Sequence, residues 1–319
     1  MGDFVPLTSP TRRRAATGLV GALLASALGA LTAPAPASAS PYYGQATRVM
    51  QVVTDSLDVD ATDTIGYNAR VGTWRDDAGK HHMSRLYATF DVGDFAGRHI
   101  LAANLFSSES SANDCPSRQI EVWQVADTDK PTWAAPPAEQ SLLASFGPGT
   151  SCLKTLRVDL LPLVDQAIAE HKPRIAVELR VAADVEGNLA YGRTLRDAQL
   201  SIQYNSPPQT PTELYNANQD CGDQADPTFV TRQPALSARF RDADGDPMTG
   251  TFAVWPVDHP DQRAEYTRDW LSNGWVGGLQ VPTALDDATT YAWQVRATDG
   301  TDTTDWSKTC YITTDGVRP

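Results

Sequence analysis

Three aspartates at alternate positions, Asp242, Asp244 and Asp246, fall inside the stretch FRDADGDPMTG. Carboxylates spaced this way can converge on one side of a turn, and calcium takes roughly six to eight such hard oxygens. Calcium is therefore the candidate ion, and no other cofactor is implied. The spacing is not that of an EF-hand: Gly245 arrives too early, and Ala253 stands where the bidentate glutamate should fall. A second acidic loop, ATDGTDTTD, offers Asp299, Asp302 and Asp305, which complete a cage if both loops lie at the same end. The competing use of the stretch is a hairpin turn. Leu236, Ala238 and Phe240 read as the buried side of one strand, and Phe252 and Val254 as that of the next. Asp and Gly tolerate the left-handed conformation of a turn, and Pro247 restricts the exit.

Catalytic chemistry finds less support. The chain has no H-E-x-x-H, no G-x-S-x-G and no Gly-rich phosphate loop. His81 and His82 are adjacent, so on a strand they face opposite ways and cannot share one metal. They are expected in the exposed turn DDAGKHH. A glycosidase needs two carboxylates facing each other across a cleft, and nothing in the sequence pairs the acids that way. Sugar binding needs a platform instead: exposed aromatics for the apolar faces and polar neighbours for the hydroxyls. Arg85, Tyr87 and Thr89 share the outward side of SRLYATFDV, and Glu178 and Arg180 join them if the two strands belong to one sheet. Trp74, in VGTWRDD, is another candidate platform. The plain alternative is that Tyr87 covers a sheet surface and Trp74 plugs one end of a sandwich. Trp123, Trp293 and Trp306 lie in apolar strand contexts and read as core.

The elements that must position these residues are strands. In SRLYATFDV the residues Leu86, Ala88, Phe90 and Val92 alternate with Arg85, Tyr87, Thr89 and Asp91. RIAVELRVA puts Ile175, Val177, Leu179 and Val181 on one side, and QLSIQYN does the same with Leu200, Ile202 and Tyr204. Such period-two runs, bounded by Gly, Asn, Asp and Pro, are strands of antiparallel sheets. One helix interrupts them: in DLLPLVDQAIAEH, Pro162 suits a first turn, with Leu163, Ala167 and Ile168 as the buried stripe. The expected class is all-β, a sandwich with one short helix followed by a smaller sandwich. NSPPQTPTEL separates them, three prolines holding a polar stretch extended. The domains read as 40–206 and 214–316, with 207–213 as linker.

The first 39 residues read as an export signal. Arg12, Arg13 and Arg14 precede an apolar run rich in Ala, Gly and Leu, and Ala37-Ser38-Ala39 supplies a cleavage site. Pro34 and Pro36 close the run early, against a membrane span in the mature chain. Thr11-Arg12-Arg13 leaves twin-arginine export open beside the general route. The expected location is therefore extracellular or at the cell surface. A net charge of −13 argues against a nucleic-acid partner, which needs clustered Lys and Arg. Cys115, Cys152, Cys221 and Cys310 are an even set in an exported chain, which implies two disulfides. Four cysteines allow three pairings, and the domain division selects Cys115–Cys152 and Cys221–Cys310.

TDTIGYNARVG, SRLYATFDVGDFAGRHILAANLFSSES, QIEVWQVADTDKPTWAAPP and LRVDLLPLVDQAIAEHK follow the order found in DNRLRE domains. The resemblance covers roughly residues 45–205 and implies a jelly-roll-like module related to carbohydrate-binding modules of secreted actinobacterial proteins. GRTLRDAQLSIQY matches the family's late motif loosely, so no family binding residue is carried over. Downstream, PALSARFRDADGDPMTGTFAVW and TTYAWQVRATDGTDTTDWSKTCYI resemble a fibronectin type III or immunoglobulin-like domain, with Tyr291, Trp293, Val295 and Ala297 on one face. The tandem is similar to the front part of larger surface proteins, which leaves both a short member and a fragment open. Three readings follow: a secreted, non-catalytic binding module for polysaccharide or cell-wall glycan; a structural or adhesive spacer; and a polysaccharide hydrolase or its accessory.

Overall fold

The computed structural model describes residues 41–55, 61–64 and 68–315; the segment expected to direct export lies outside the described residues. The chain is nearly all β, with one α-helix among the described residues. In the first sandwich, antiparallel strands neighbour one another along a path that curls over on itself. Its order is Tyr42–Gln45, Gln199–Asn205, His99–Ala112, Arg193–Leu195, Ala69–Arg75, His81–Asp91, Arg174–Val181, Ile120–Val125 and Glu139–Phe146. Arg48–Thr54 lies on the other side of His81–Asp91, and Thr155–Asp159 pairs with His99–Ala112.

The alternation expected from sequence does the folding. Leu86, Ala88 and Phe90 of one half and Leu105, Leu200 and Ile202 of the other are all within one buried cluster. Burying each leucine, isoleucine or phenylalanine among them contributes about 1.5–3 kcal/mol. The helix spans Leu161–Ala169 with Pro162 in its first turn, where a missing N–H costs nothing. Its buried residues are Leu163, Val164 and Ala167; Ile168 is only half-buried, so Val164 takes the place expected for it.

The second sandwich packs a four-stranded sheet against a five-stranded one. The first holds Gln219–Asp220, Thr212–Asn216, Ala235–Arg239 and Val276–Gln280; the second holds Thr228–Val230, Cys310–Thr314, Thr290–Thr298, Met248–Pro256 and Ala264–Leu271. Leu236 and Ala238 from one sheet meet Phe252, Trp293 and Val295 from the other in a common core. Trp293 is fully buried there and donates its indole N–H to Asn216 Oδ1 at 2.7 Å.

Both disulfides form as Cys115–Cys152 and Cys221–Cys310. The first is surrounded by a buried ion cluster. Arg118 binds Glu109 through two nitrogens, at 3.1 and 2.8 Å, and Arg193 approaches the same carboxylate at 3.3 Å. The two guanidiniums also donate to the carbonyls of Cys152 and, from Arg193, of Asp114, Cys115 and Ser117.

Candidate functional site

The outward face of His81–Asp91 is shared with Arg174–Val181, and Glu178 lies directly opposite Tyr87. It is not an open platform. Tyr87, Glu178 and Arg180 are 5%, 1% and 5% exposed, and Arg85 and Thr89 are half-buried. Trp123 and Trp133 cover the face, packing with Val53, Tyr87, Val125 and Ala176. Under them runs an ion network. Tyr87 donates to Glu178 Oε1 at 3.0 Å, Arg85 grips Glu186 through two 2.8 Å bonds, and Arg180 pairs with Glu121 and Glu139. The Arg85 and Arg180 guanidiniums lie 5.0 Å from the Trp133 and Trp123 rings respectively. Burial pushes the Glu178 carboxyl up from its ordinary range despite both arginines, and burial with the Glu178 charge raises the Tyr87 phenol. These groups pair with one another, and Tyr87, Glu178 and Arg180 are shut from solvent. Alternation correctly placed them outward, but outward on this sheet means beneath a second, aromatic layer.

Trp74 stands beside a polar cleft of about 450 Å³ lined by Arg70, Arg75, Asn113 and Arg193. Its ring is already engaged: His82 stacks on it at 4.7 Å, Arg70 lies 4.1 Å from it, and its N–H donates to Ser84. His81 and His82 belong to the strand rather than to the preceding turn, which spans Asp76–Lys80. Trp123 and Trp306 are half-buried at the surface rather than core, Trp306 lying near Arg263 and Arg296.

The acidic loop is not a hairpin. Ala235–Arg239 and Met248–Pro256 belong to opposite sheets, so Asp242–Asp246 crosses from one to the other at an end of the sandwich. That end meets the first sandwich. Ser206, just past the strand Gln199–Asn205, donates its N–H and its hydroxyl to the Asp244 carboxylate at 2.6 and 2.9 Å. Tyr42 donates to the Asp244 carbonyl at 2.6 Å. The second acidic loop reaches the same junction: Asn205 Nδ2 donates to Asp299 and Asp302, and His99 meets Asp302 at 3.0 Å. Asp305 is exposed and does not join them. One oxygen from each of Asp242, Asp244 and Asp246 lies within 4.8 Å of the others.

A feature not anticipated from sequence lies in DWLSNGWVGG. Trp270 and Trp275 are 61% and 73% exposed and flank a groove of about 260 Å³, together with Arg268, Ser272, Val276 and Gly277. The groove runs between Ala264–Leu271 and Val276–Gln280, the edge strands of opposite sheets. A register shift opposite Met248–Gly250 leaves Asp269 and Trp270 unpaired, and Trp270 adopts a left-handed φ of 60°. A bulge of this kind re-aims a side chain, here at the cost of backbone strain. Two of the lining residues must be glycine: a Cβ on Gly277 would lie 2.4 Å from Leu271, and one on Gly278 only 2.0 Å from the Leu236 carbonyl. Two tryptophans within six residues of a Ser-Asn-Gly turn were the available signal.

The chain matches no family model and no curated sequence. Among solved structures it is similar to a β-glucuronidase from Parabacteroides merdae, with 9% identity over 85% of this chain and 35% of that one, at a TM-score of 0.26. A β-D-mannosidase from Dictyoglomus thermophilum gives 7% identity over 86% and 36%, at 0.25. The FN1-FN3 domains of chicken CNTN1 give 7% identity over 88% and 99%, also at 0.25. The chain spans about a third of the length of these glycosidases. Overlaps at these scores speak to neither activity nor ligand.

Proposed function

We propose that this chain is an exported, non-catalytic binding protein for polysaccharide or cell-wall glycan, and that the sugar lies along the groove between Trp270 and Trp275. The observation that carries this reading is the pair of exposed indoles flanking one groove. Large apolar side chains exposed together and rimmed by polar groups mark interaction surfaces, and indoles offer flat faces to sugar rings. Arg268 and Ser272 supply polar groups for hydroxyls. The groove lining contains no carboxylate, whereas glycoside hydrolysis uses a facing pair. The expected DNRLRE-like character of residues 45–205 and the export signal belong to the same proposal. Both disulfides suit an oxidising compartment.

The test is a glycan-array screen of residues 40–319, followed by titration of any ligand found against W270A and W275A. Each substitution should weaken binding by about tenfold, which corresponds to roughly 1.4 kcal/mol per ring. Binding unaffected by both would overturn the groove. The spacer reading is favoured by the hydrogen-bonded junction between the sandwiches, and an array with no binding in any condition selects it.

A further inference from the structure

The junction between the two sandwiches gathers five aspartates from two loops. Asp242, Asp246 and Asp299 are all buried, and Asp244 and Asp302 lie beside them as hydrogen-bond partners of Ser206 and Asn205. Among the described residues no Lys or Arg pairs with Asp242, Asp244 or Asp299. The two arginines of the acidic loop's approach, Arg239 and Arg241, turn instead to Glu213. His99 reaches only Asp302. Buried carboxylates are ordinarily paired or bound to a metal.

Two oxygens here lack any hydrogen-bond partner. Asp242 Oδ1 accepts the N–H groups of Asp244, Gly245 and Asp246, but Asp242 Oδ2, in a side chain 5% exposed, accepts none. Asn205 is fully buried. Its Nδ2 is fixed as the donor by the two carboxylates it meets, which leaves Oδ1 unpartnered. A buried polar oxygen without a partner costs about 1–3 kcal/mol, and two belonging to one junction call for a common explanation. A cation can supply a partner to oxygens that no protein donor reaches.

We propose that a divalent cation of the calcium class binds at this junction, held by Asp242, Asp244 and Asp246 of the second sandwich and by Asn205 of the first, and clamps the two sandwiches together. The donors are all oxygens, three carboxylates and an amide carbonyl, the set preferred by a hard cation of flexible coordination. Because the ligands come from both sides of the Pro-rich 207–211 segment, the ion restricts how the sandwiches pivot about it. This site is separate from the Trp270–Trp275 groove, and its existence does not depend on any glycan being bound.

The test uses residues 40–319 stripped with a chelator and titrated with calcium chloride by calorimetry, with D242N and D246N alongside. D242N keeps Oδ1 as acceptor for the three backbone N–H groups, so a pure turn role predicts no change, while an ion site predicts at least tenfold weaker binding. D246N serves the same purpose should D242N fail to fold. Wild-type protein should bind one ion saturably, and calcium should slow proteolysis within residues 207–211 at least tenfold relative to chelator. Absence of saturable binding, or equal binding by both variants, overturns the site. Binding that leaves linker cleavage unchanged overturns the clamp.

Discussion

Replacing Glu109 by Gln tests how the first sandwich holds its disulfide-bearing loops. Glu109, Arg118 and Arg193 are all buried, and the carboxylate is the counter-ion of both guanidiniums while also accepting the Lys154 N–H at 2.8 Å. The amide would keep one acceptor oxygen but turn a donor toward groups that can only donate. Before desolvation, a unit-charge pair at 4 Å attracts by about 4 kcal/mol at an effective dielectric of about 20, and these pairs are closer. The carbonyls that both arginines already engage offset part of this loss. Removing one partner of a buried ion pair typically costs about 3–5 kcal/mol, and that is the value expected here. In a sandwich of this size each kcal/mol lowers the melting point by about 2–4 °C, so E109Q should melt roughly 6–20 °C lower. Calorimetry of residues 40–319 reads this as a shift of one transition, that of the first sandwich. E178Q is the internal control. Tyr87 could still donate to the amide oxygen, Arg85 keeps Glu186, and Arg180 keeps Glu121 and Glu139. Its cost should stay near 1 kcal/mol. If E109Q melts no lower than E178Q, the cluster is not what secures these loops.

Cys221–Cys310 closes a separation of 89 residues, and the chain-entropy relation puts its stabilisation at about 4.6 kcal/mol. The paired alanine variant should lose most of that in urea unfolding, and a loss below 1 kcal/mol would contradict it. Glu178 has its folded pKa raised by burial, so the native state holds its proton more tightly than the unfolded chain. Its contribution is fully present below the ordinary carboxylate pKa and is lost as pH rises through the raised one. Stability of E178Q minus wild type should therefore grow with pH across that window; a flat difference would refute the assignment. Asn273 accepts the Asp242 N–H, so chelator should also weaken any glycan bound in the Trp275 groove, and equal affinity with and without calcium would uncouple the two.

The strands were legible because one physical rule, alternation against a core, governs Leu86, Ala88 and Phe90 as it does Tyr291, Trp293 and Val295. The disulfide pairing was legible too, once the prolines of 207–211 divided the chain. What alternation could not say was what lies on the other side of a sheet. Tyr87, Glu178 and Arg180 do face away from the core, yet Trp123 and Trp133 close over them. That cover depends on a partner strand and a loop distant in sequence. Likewise DADGDP carries the composition of a hairpin. Whether two strands pair or lie in opposite sheets is set by tertiary packing, and here Ala235–Arg239 pairs with Val276–Gln280 instead. The groove went unread because exposure of Trp270 follows from a bulge, and a register shift leaves little trace in a single sequence.

The acidic loop and the tryptophan turn are parts of one assembly. Ser272–Trp275 is bound to the segment Arg239–Asp242 through four bonds: Gly274 N–H to the Phe240 carbonyl, Phe240 N–H to the Trp275 carbonyl, Arg239 to the Gly274 carbonyl, and Asp242 N–H to Asn273. The residue that offers an unpartnered carboxylate oxygen to the junction is thus one hydrogen bond from the turn that aims Trp275 outward. Ordering Asp242 from one side restricts Asn273 on the other, and a platform held still loses less freedom when a sugar stacks on it. The first sandwich enters the same chain of contacts through Ser206 and Asp244. The proposed ligand-binding edge of the second sandwich is in this way tethered to the first, so the junction bears on the angle at which the groove is presented.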